Sequence, residues 1–343
     1  MVMKRILIIG TVLGLLQACN SSSDNDDTTS EESDVPSNAT DITDVRLTNQ
    51  SGHCEDYVGQ YVSSVNDIQR NLLFAGDVTI TSNGSECSLK ANAIPNHDFN
   101  DQSASFATDV AEQSKEYLFD IFPSKADTPS ALSLVMSEAV MLNGVKIDLL
   151  AAACYNVADE RVGCGEDQID NPWRYDPMSS LNQFGTDEHH AHVQPTGEYH
   201  YHGNPMALFY QSCEGGEASP VIGFAADGFP IYGRCFADAT TGEIRAALSS
   251  YQLKSGNRVD SNGYSAPIGG AGLVVSDRYD GQFRGDYEYS AGQGDLDECN
   301  GMTVDGQYGY YVTDSFPWVL NCFAGTPNAS FSGTNGSRSH SHL

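Results

Sequence analysis

Asp187-Glu188-His189-His190-Ala191-His192-Val193-Gln194-Pro195-Thr196-Gly197-Glu198-Tyr199-His200-Tyr201-His202 carries five of the chain's nine histidines. They fall in two alternating runs on either side of Pro195-Thr196-Gly197. That tripeptide fits a three-residue hairpin loop, with Pro at the first position of a type I turn and Gly at the left-handed residue that follows. In this register Gln194 faces Glu198, Val193 faces Tyr199, His192 faces His200, Ala191 faces Tyr201 and His190 faces His202. Strand alternation then gathers His190, His192, His200 and His202 on one face, and Val193, Tyr199, Ala191 and Tyr201 on the other.

Cross-strand Cα atoms lie about 4.5–5.5 Å apart, so imidazoles on such a patch can converge on one ion. A flat face rarely delivers all four. His192, His200 and His202 are the leading metal ligands, followed by His190 and by His97 from elsewhere in the chain. Asp187 and Asp227 are the candidates for a catalytic role, as orienting partners of a histidine base. Imidazole suits Zn, Cu, Ni and Fe, and in an oxidising compartment with thiols paired the leading choices are copper and zinc.

A second stretch follows the order of the first. Asp297-Glu298-Cys299-Asn300-Gly301-Met302 and Tyr308-Gly309-Tyr310-Tyr311 match the two strands, with Asn300, Met302, Gly309 and Tyr311 in place of His190, His192, His200 and His202. Asp314-Ser315-Phe316-Pro317 through Cys322-Phe323 matches Asp227-Gly228-Phe229-Pro230 through Cys235-Phe236. Both matches point to an internal duplication of a β-hairpin unit, over 187–236 and 297–323. Asp, Glu and Tyr then read as scaffold, and the histidines as what one copy keeps.

The chain has 343 residues and a formal net charge of −29. That balance excludes nucleic acid as a partner, because phosphate backbones are bound by Lys and Arg. Residues 1–18 have a short basic start at Lys4-Arg5 and an apolar run from Ile6 to Leu16, too short to span a bilayer as a mature helix, and read as a signal peptide. The leader ends Leu16-Gln17-Ala18-Cys19, which resembles a bacterial lipobox. The resemblance implies a lipid on Cys19 anchoring the protein in the cell-envelope membrane, and Asn20 fits outer-membrane sorting. Eight cysteines remain: Cys54, Cys87, Cys154, Cys164, Cys213, Cys235, Cys299 and Cys322. An even number in an exported protein points to four disulfides, with sequential neighbours as the expected partners.

Residues 19–44 are Ser/Asp/Glu/Thr-rich and read as a disordered acidic linker. A single domain, mainly β with long loops and few short helices, is expected over 45–323, followed by a flexible tail over 324–343. Runs 57–62 and 77–81 are rich in β-formers, and Asn83-Gly84 is a turn signal. Residues 131–153 form the best helix candidate by composition, but Asn143-Gly144 interrupts them and favours a hairpin over 140–147. The acidic stretch with Asp277, Asp280, Asp286, Asp295 and Asp297 offers a calcium option without the EF-hand spacing.

The combination of 192–203 with Ala93-Ile94-Pro95-Asn96-His97, Leu142-Asn143-Gly144-Val145, Ala226-Asp227-Gly228-Phe229-Pro230-Ile231-Tyr232-Gly233 and Gly294-Asp295-Leu296-Asp297-Glu298-Cys299-Asn300-Gly301 resembles the YHYH-domain family, over about 90–323. The resemblance implies domain limits and an exported protein rather than a mechanism, and adds weight to His97 as a partner of the hairpin. Three functions follow from the residues: a cell-envelope lipoprotein binding a transition metal, a metal-dependent hydrolase or copper oxidase at the same site, and a structural or adhesive surface module without metal.

Overall fold

The structure, a computed structural model, describes residues 38–157 and 159–333. The leader, Cys19 and the terminal Ser339-His340-Ser341-His342 lie outside them. Two sheets carry the fold. The first contains β1 (Thr40–Asp41), β2 (Gly59–Asp67), β3 (Leu72–Ser82), β4 (Glu86–Ala91) and β5 (Lys115–Asp120), paired in that order. Its long strands bury every second residue, as Val65, Val78, Ile80 and Leu89 show, which is the period a half-buried strand needs.

The second sheet has eight strands: β6 (Ala139–Met141), β7 (Lys146–Ile147), β8 (Ala191–Val193), β9 (Tyr199–Tyr201), β10 (Val221–Ala225), β11 (Pro230–Tyr232), β12 (Gly301–Val304) and β13 (Gln307–Tyr311). Their spatial order is β12-β13-β11-β10-β6-β7-β9-β8. The sheet thus has two halves of the same pairing order that meet at the antiparallel β6–β10 seam. In each half a hairpin sits at the seam, its second strand pairs in parallel with the second strand of an outer hairpin, and that outer hairpin forms the edge.

One core joins the two sheets. It contains Val78, Leu89 and Phe119 from the first and Val140, Tyr199, Tyr201, Phe224, Ile231 and Tyr310 from the second, and the Phe119 and Phe224 rings stack with centroids 5.0 Å apart. A separate cluster of Trp173, Tyr175, Phe184 and Phe283 forms within the long loops.

Four disulfides link sequential neighbours, as expected: Cys54–Cys87, Cys154–Cys164, Cys213–Cys235 and Cys299–Cys322. The 131–153 segment is a hairpin, not a helix, and Gly144 takes φ +81° in its turn. A Cβ there would stand 2.5 Å from Ala91 Cβ and 2.8 Å from Val78 Cγ2. Gly144→Ala therefore combines left-handed strain with overpacking and lowers unfolding free energy by about 2–4 kcal/mol. Denaturant titration checks this; a loss below about 1 kcal/mol would mean the turn can relax away from the first sheet.

Three boundaries differ from expectation. The linker ends earlier, because Thr40 and Asp41 pair with Tyr61 and Val62 and Asn96 Nδ2 donates to the Ile42 and Val45 carbonyls. These polar residues are held by backbone ladder bonds rather than by apolar burial, so composition conceals them. The chain also stays packed beyond 323. Phe331 is buried against Tyr117 and Phe119, and Asn328 caps a short 3₁₀ turn over Ala329–Phe331. Finally, Asp227-Gly228 closes the β10–β11 hairpin, whereas 314–317 lies outside both sheets. By strand order the counterpart of 227–230 is Asn143-Gly144-Val145-Lys146, so the expected match with 314–317 has no common pairing.

Candidate metal centre

The β8–β9 hairpin has the register its turn predicts: Tyr199 opposite Val193, His200 opposite His192, Tyr201 opposite Ala191. Gly197 takes φ +83°. The Gln194 N–H donates to the Glu198 carbonyl at 3.0 Å and the Gly197 N–H to that of Gln194 at 2.8 Å. Both faces of the hairpin are buried. The tyrosine face enters the main core. The histidine face brings His192, His200 and His202 together.

Their Nε2 atoms converge. His202 Nε2 lies 3.1 Å from that of His200 and 2.9 Å from that of His192, and the three residues are 1%, 0% and 4% exposed respectively. The Phe184 carbonyl meets His192 Nδ1 at 2.6 Å, and the Glu198 carbonyl meets His200 Nδ1 at 3.2 Å. A carbonyl only accepts, so each of those Nδ1 atoms carries the ring proton and each Nε2 presents a lone pair. This is how outer partners fix a metal-binding tautomer. Burial, then His192 and His200 beside it, pushes His202 well below its ordinary range.

The triad lies beside a layer of buried charge that sequence reading missed. His200 is the register partner of Lys146 in the neighbouring parallel strand. Lys146 Nζ reaches Asp148 Oδ2 at 2.7 Å and Glu198 Oε2 at 3.4 Å. Lys115 Nζ reaches Glu198 Oε1 at 3.0 Å, and Gln194 Nε2 donates to Asp148 Oδ2 at 2.6 Å. The available signal was Val145-Lys146-Ile147-Asp148-Leu149, in which two opposite charges alternate with aliphatic residues. Such a pattern places a charged pair on one face of a buried strand.

His190 and His97, the next candidates, do not join the triad. His190 sits just before β8 with φ +61°, its carbonyl accepts from the His202 N–H at 2.8 Å, and its Nδ1 bonds the Asn204 carbonyl at 2.9 Å. The left-handed turn takes the ring off the face that straight alternation assigns it. His97 lies on the tyrosine side: its Nδ1 bonds the Asp98 carbonyl at 2.8 Å, and its Nε2 meets the Tyr201 hydroxyl at 2.7 Å. Its ring packs on His189 with centroids 3.9 Å apart.

The candidate catalytic carboxylates are scaffold pins. Asp187 accepts from the Tyr199 hydroxyl at 2.8 Å and from the His189 N–H at 3.0 Å. Asp227 accepts from the Tyr310 hydroxyl at 2.6 Å and the Gly325 N–H at 2.9 Å. Burial raises both above the usual carboxylate range, and neither belongs to the converging group. The calcium option is corrected as well. Asp280 and Asp286 pair with Arg258, Asp295 with Arg245, Asp297 with Tyr308 and Lys125, and Asp277 accepts the Gly269 N–H. Among the described residues, only the three histidines form a group of three or more side chains placed to share an ion.

Burial, then the charge of His189, holds His97 at about 3, far below its ordinary 6.5. The sign follows from proton counts: between those values the unfolded chain binds a proton at His97 that the folded chain does not. Stability from this residue is present above pH 6.5 and is lost as pH falls towards 3. Unfolding free energy of the wild type should fall over this window more steeply than that of His97→Gln, by up to about 1.4 kcal/mol per pH unit. Parallel pH profiles of the two proteins would refute the assignment.

A buried three-imidazole centre in a β-sheet protein is the class that fold and site define. The YHYH-protein family model matches residues 116–325, and the chain belongs to that family. The match begins after 93–97, so the His97 segment lies outside it. No curated protein and no solved structure matches the chain.

Proposed function

We propose that this is an exported, lipid-anchored envelope protein that binds one transition-metal ion, copper or zinc, through His192, His200 and His202. The observation that carries the reading is the convergence of three Nε2 atoms, two of them with the ring proton held on Nδ1 by a backbone carbonyl. His192 and His200 each present an Nε2 lone pair close to His202 Nε2, an arrangement that a cation or a shared proton between the rings stabilises. Imidazole donors favour Cu(II) and Zn(II). The disulfides, which use all eight cysteines of the described residues, leave no thiolate to compete.

The test is metal analysis of protein purified without a histidine tag and then offered Zn(II) or Cu(II). One equivalent per chain is expected. The absence of stoichiometric uptake would leave a proton-linked histidine cluster, the reading of a metal-free structural module. The depth of the triad supports a closed centre over a hydrolase or oxidase with an open coordination position, and Asp187 and Asp227, the catalytic candidates, stand outside the converging group. The anchor rests on Leu16-Gln17-Ala18-Cys19. Mass spectrometry of the membrane fraction is expected to find Cys19 lipidated at the mature N-terminus, and an unmodified Cys19 there would remove the anchor from the proposal.

A further inference from the structure

The other half of the long sheet puts something different where the triad would be. Met302 faces Gly309 across β12–β13 as His192 faces His200 across β8–β9. A Cβ on Gly309 would lie 2.5 Å from Tyr232 Cε2, so the glycine makes room for the Tyr232 ring. That ring stacks on Tyr311, its register partner, with centroids 5.1 Å apart and planes 17° from parallel. Both rings line an open cleft of about 560 Å³, within the range of about 300–1,000 Å³ common for small-molecule sites. Its rim carries Gln50 and His53 from the segment before β2, Asp305 from the Asp305-Gly306 turn and Gln307 from the start of β13. Gln50, His53 and Asp305 are exposed.

We propose that this cleft binds an uncharged carbohydrate. Among the described residues no lysine or arginine lines it, so it lacks the donors that phosphate and carboxylate ligands require. Gln50 Nε2 donates to the Ala218 carbonyl at 2.7 Å and Gln307 Nε2 to the Tyr308 carbonyl at 2.9 Å, which leaves each amide one N–H and its oxygen; a wholly apolar ligand would cover these groups and the Asp305 carboxylate without bonding them. Tyr232 and Tyr311 are stacked nearly parallel, and Phe236, the third ring of the lining, is already covered by the Arg245 guanidinium at 4.6 Å, so the three do not enclose a guest as the aromatic cage for a quaternary ammonium does. A sugar ring meets each demand. Its polarised C–H face lies against the negative face of a tyrosine ring. Its hydroxyls both donate and accept, which suits Gln50 and Gln307, and donate to Asp305. The proposal is independent of the metal reading, since the cleft shares no residue with the triad.

The test is titration calorimetry of the purified protein with cellobiose, maltose and N,N′-diacetylchitobiose, with digalacturonate and choline as charged controls. At least one neutral disaccharide is expected to bind with a Kd of about 1 mM or tighter. Gln50→Ala with Gln307→Ala should weaken it at least about tenfold, with metal uptake unchanged and a cooperative thermal transition retained. Tyr232→Ala should abolish binding. No saturable binding of a neutral disaccharide up to about 10 mM, stronger binding of a charged control, or undiminished binding by the rim variant would each overturn the proposal. If metal uptake fails while saccharide binding holds, only the metal reading falls.

Discussion

His200→Ala with His202→Ala is expected to abolish metal uptake. The wild type should hold one equivalent of Zn(II) or Cu(II), and the double variant should show no saturable binding at the same concentrations. The two substitutions leave one imidazole of three. Losing an outer partner of a metal-bound histidine costs about 10- to 100-fold in affinity, and losing two direct ligands must exceed that. Metal at 100 times its Kd would stabilise the wild type by about 2.7 kcal/mol, a rise of several degrees in Tm that the variant should lack. The single variant His192→Ala should behave in the same direction, because His192 Nε2 is 2.9 Å from that of His202. His190→Ala and His97→Ala should keep the full equivalent, since both rings are committed elsewhere. Equal uptake by the wild type and the double variant would place any metal outside the triad.

Lys146→Met is the second large effect, expected to cost about 3–5 kcal/mol of unfolding free energy. The Lys146 side chain is 1% exposed and lies between Asp148 and Glu198, whose side chains are 10% and 2% exposed. Methionine fills a similar volume but removes the cation between two buried carboxylates. Lys115 still meets Glu198, so Asp148 loses more. Adding Asp148→Asn to Lys146→Met should recover part of the loss, whereas adding it to the wild type should not stabilise the protein. Denaturant midpoints measured on the four proteins form the cycle that isolates the pair. A loss below about 1 kcal/mol for Lys146→Met would mean that water or another cation replaces the ammonium.

The hairpin was legible because its decisive information is local. Pro195 and Gly197 set the loop, the loop sets the register, and the register decides which side chains share a face. His190 escaped that logic because a strand has to begin somewhere. Its left-handed backbone, shared by Asn300 at φ +68°, marks the entrance to each outer hairpin, and alternation cannot be extended through it. The correspondence of Asn143-Gly144 with Asp227-Gly228 was hidden for another reason. Strands as short as β7 and β11 carry too few residues to stand out, and what they share is position in a sheet. The buried charge around Lys146 needs the parallel β7–β9 pairing, which joins residues far apart in the chain. The disulfides were readable because pairing near neighbours demands little of the fold. Phe331 went unread because a lone aromatic among Gly, Ser and Asn gives no periodicity.

The pairing order of the long sheet also bears on the route by which the chain reaches it. The half that holds the triad draws on β6 to β9, all of them before residue 202, and the five-strand sheet is complete at Asp120. Opposite that, β11 must wait for β13, because Ile231 pairs with Tyr310. A chain emerging N-terminus first can therefore assemble the histidine centre while β10 and β11 still have an unfilled edge. Non-local pairing of this kind is slow, and an unpaired strand edge invites association with other chains. The vulnerable interval in the protein's maturation falls between synthesis of Tyr232 and docking of β13, when the three histidines can already be in place and the second half of the sheet is not.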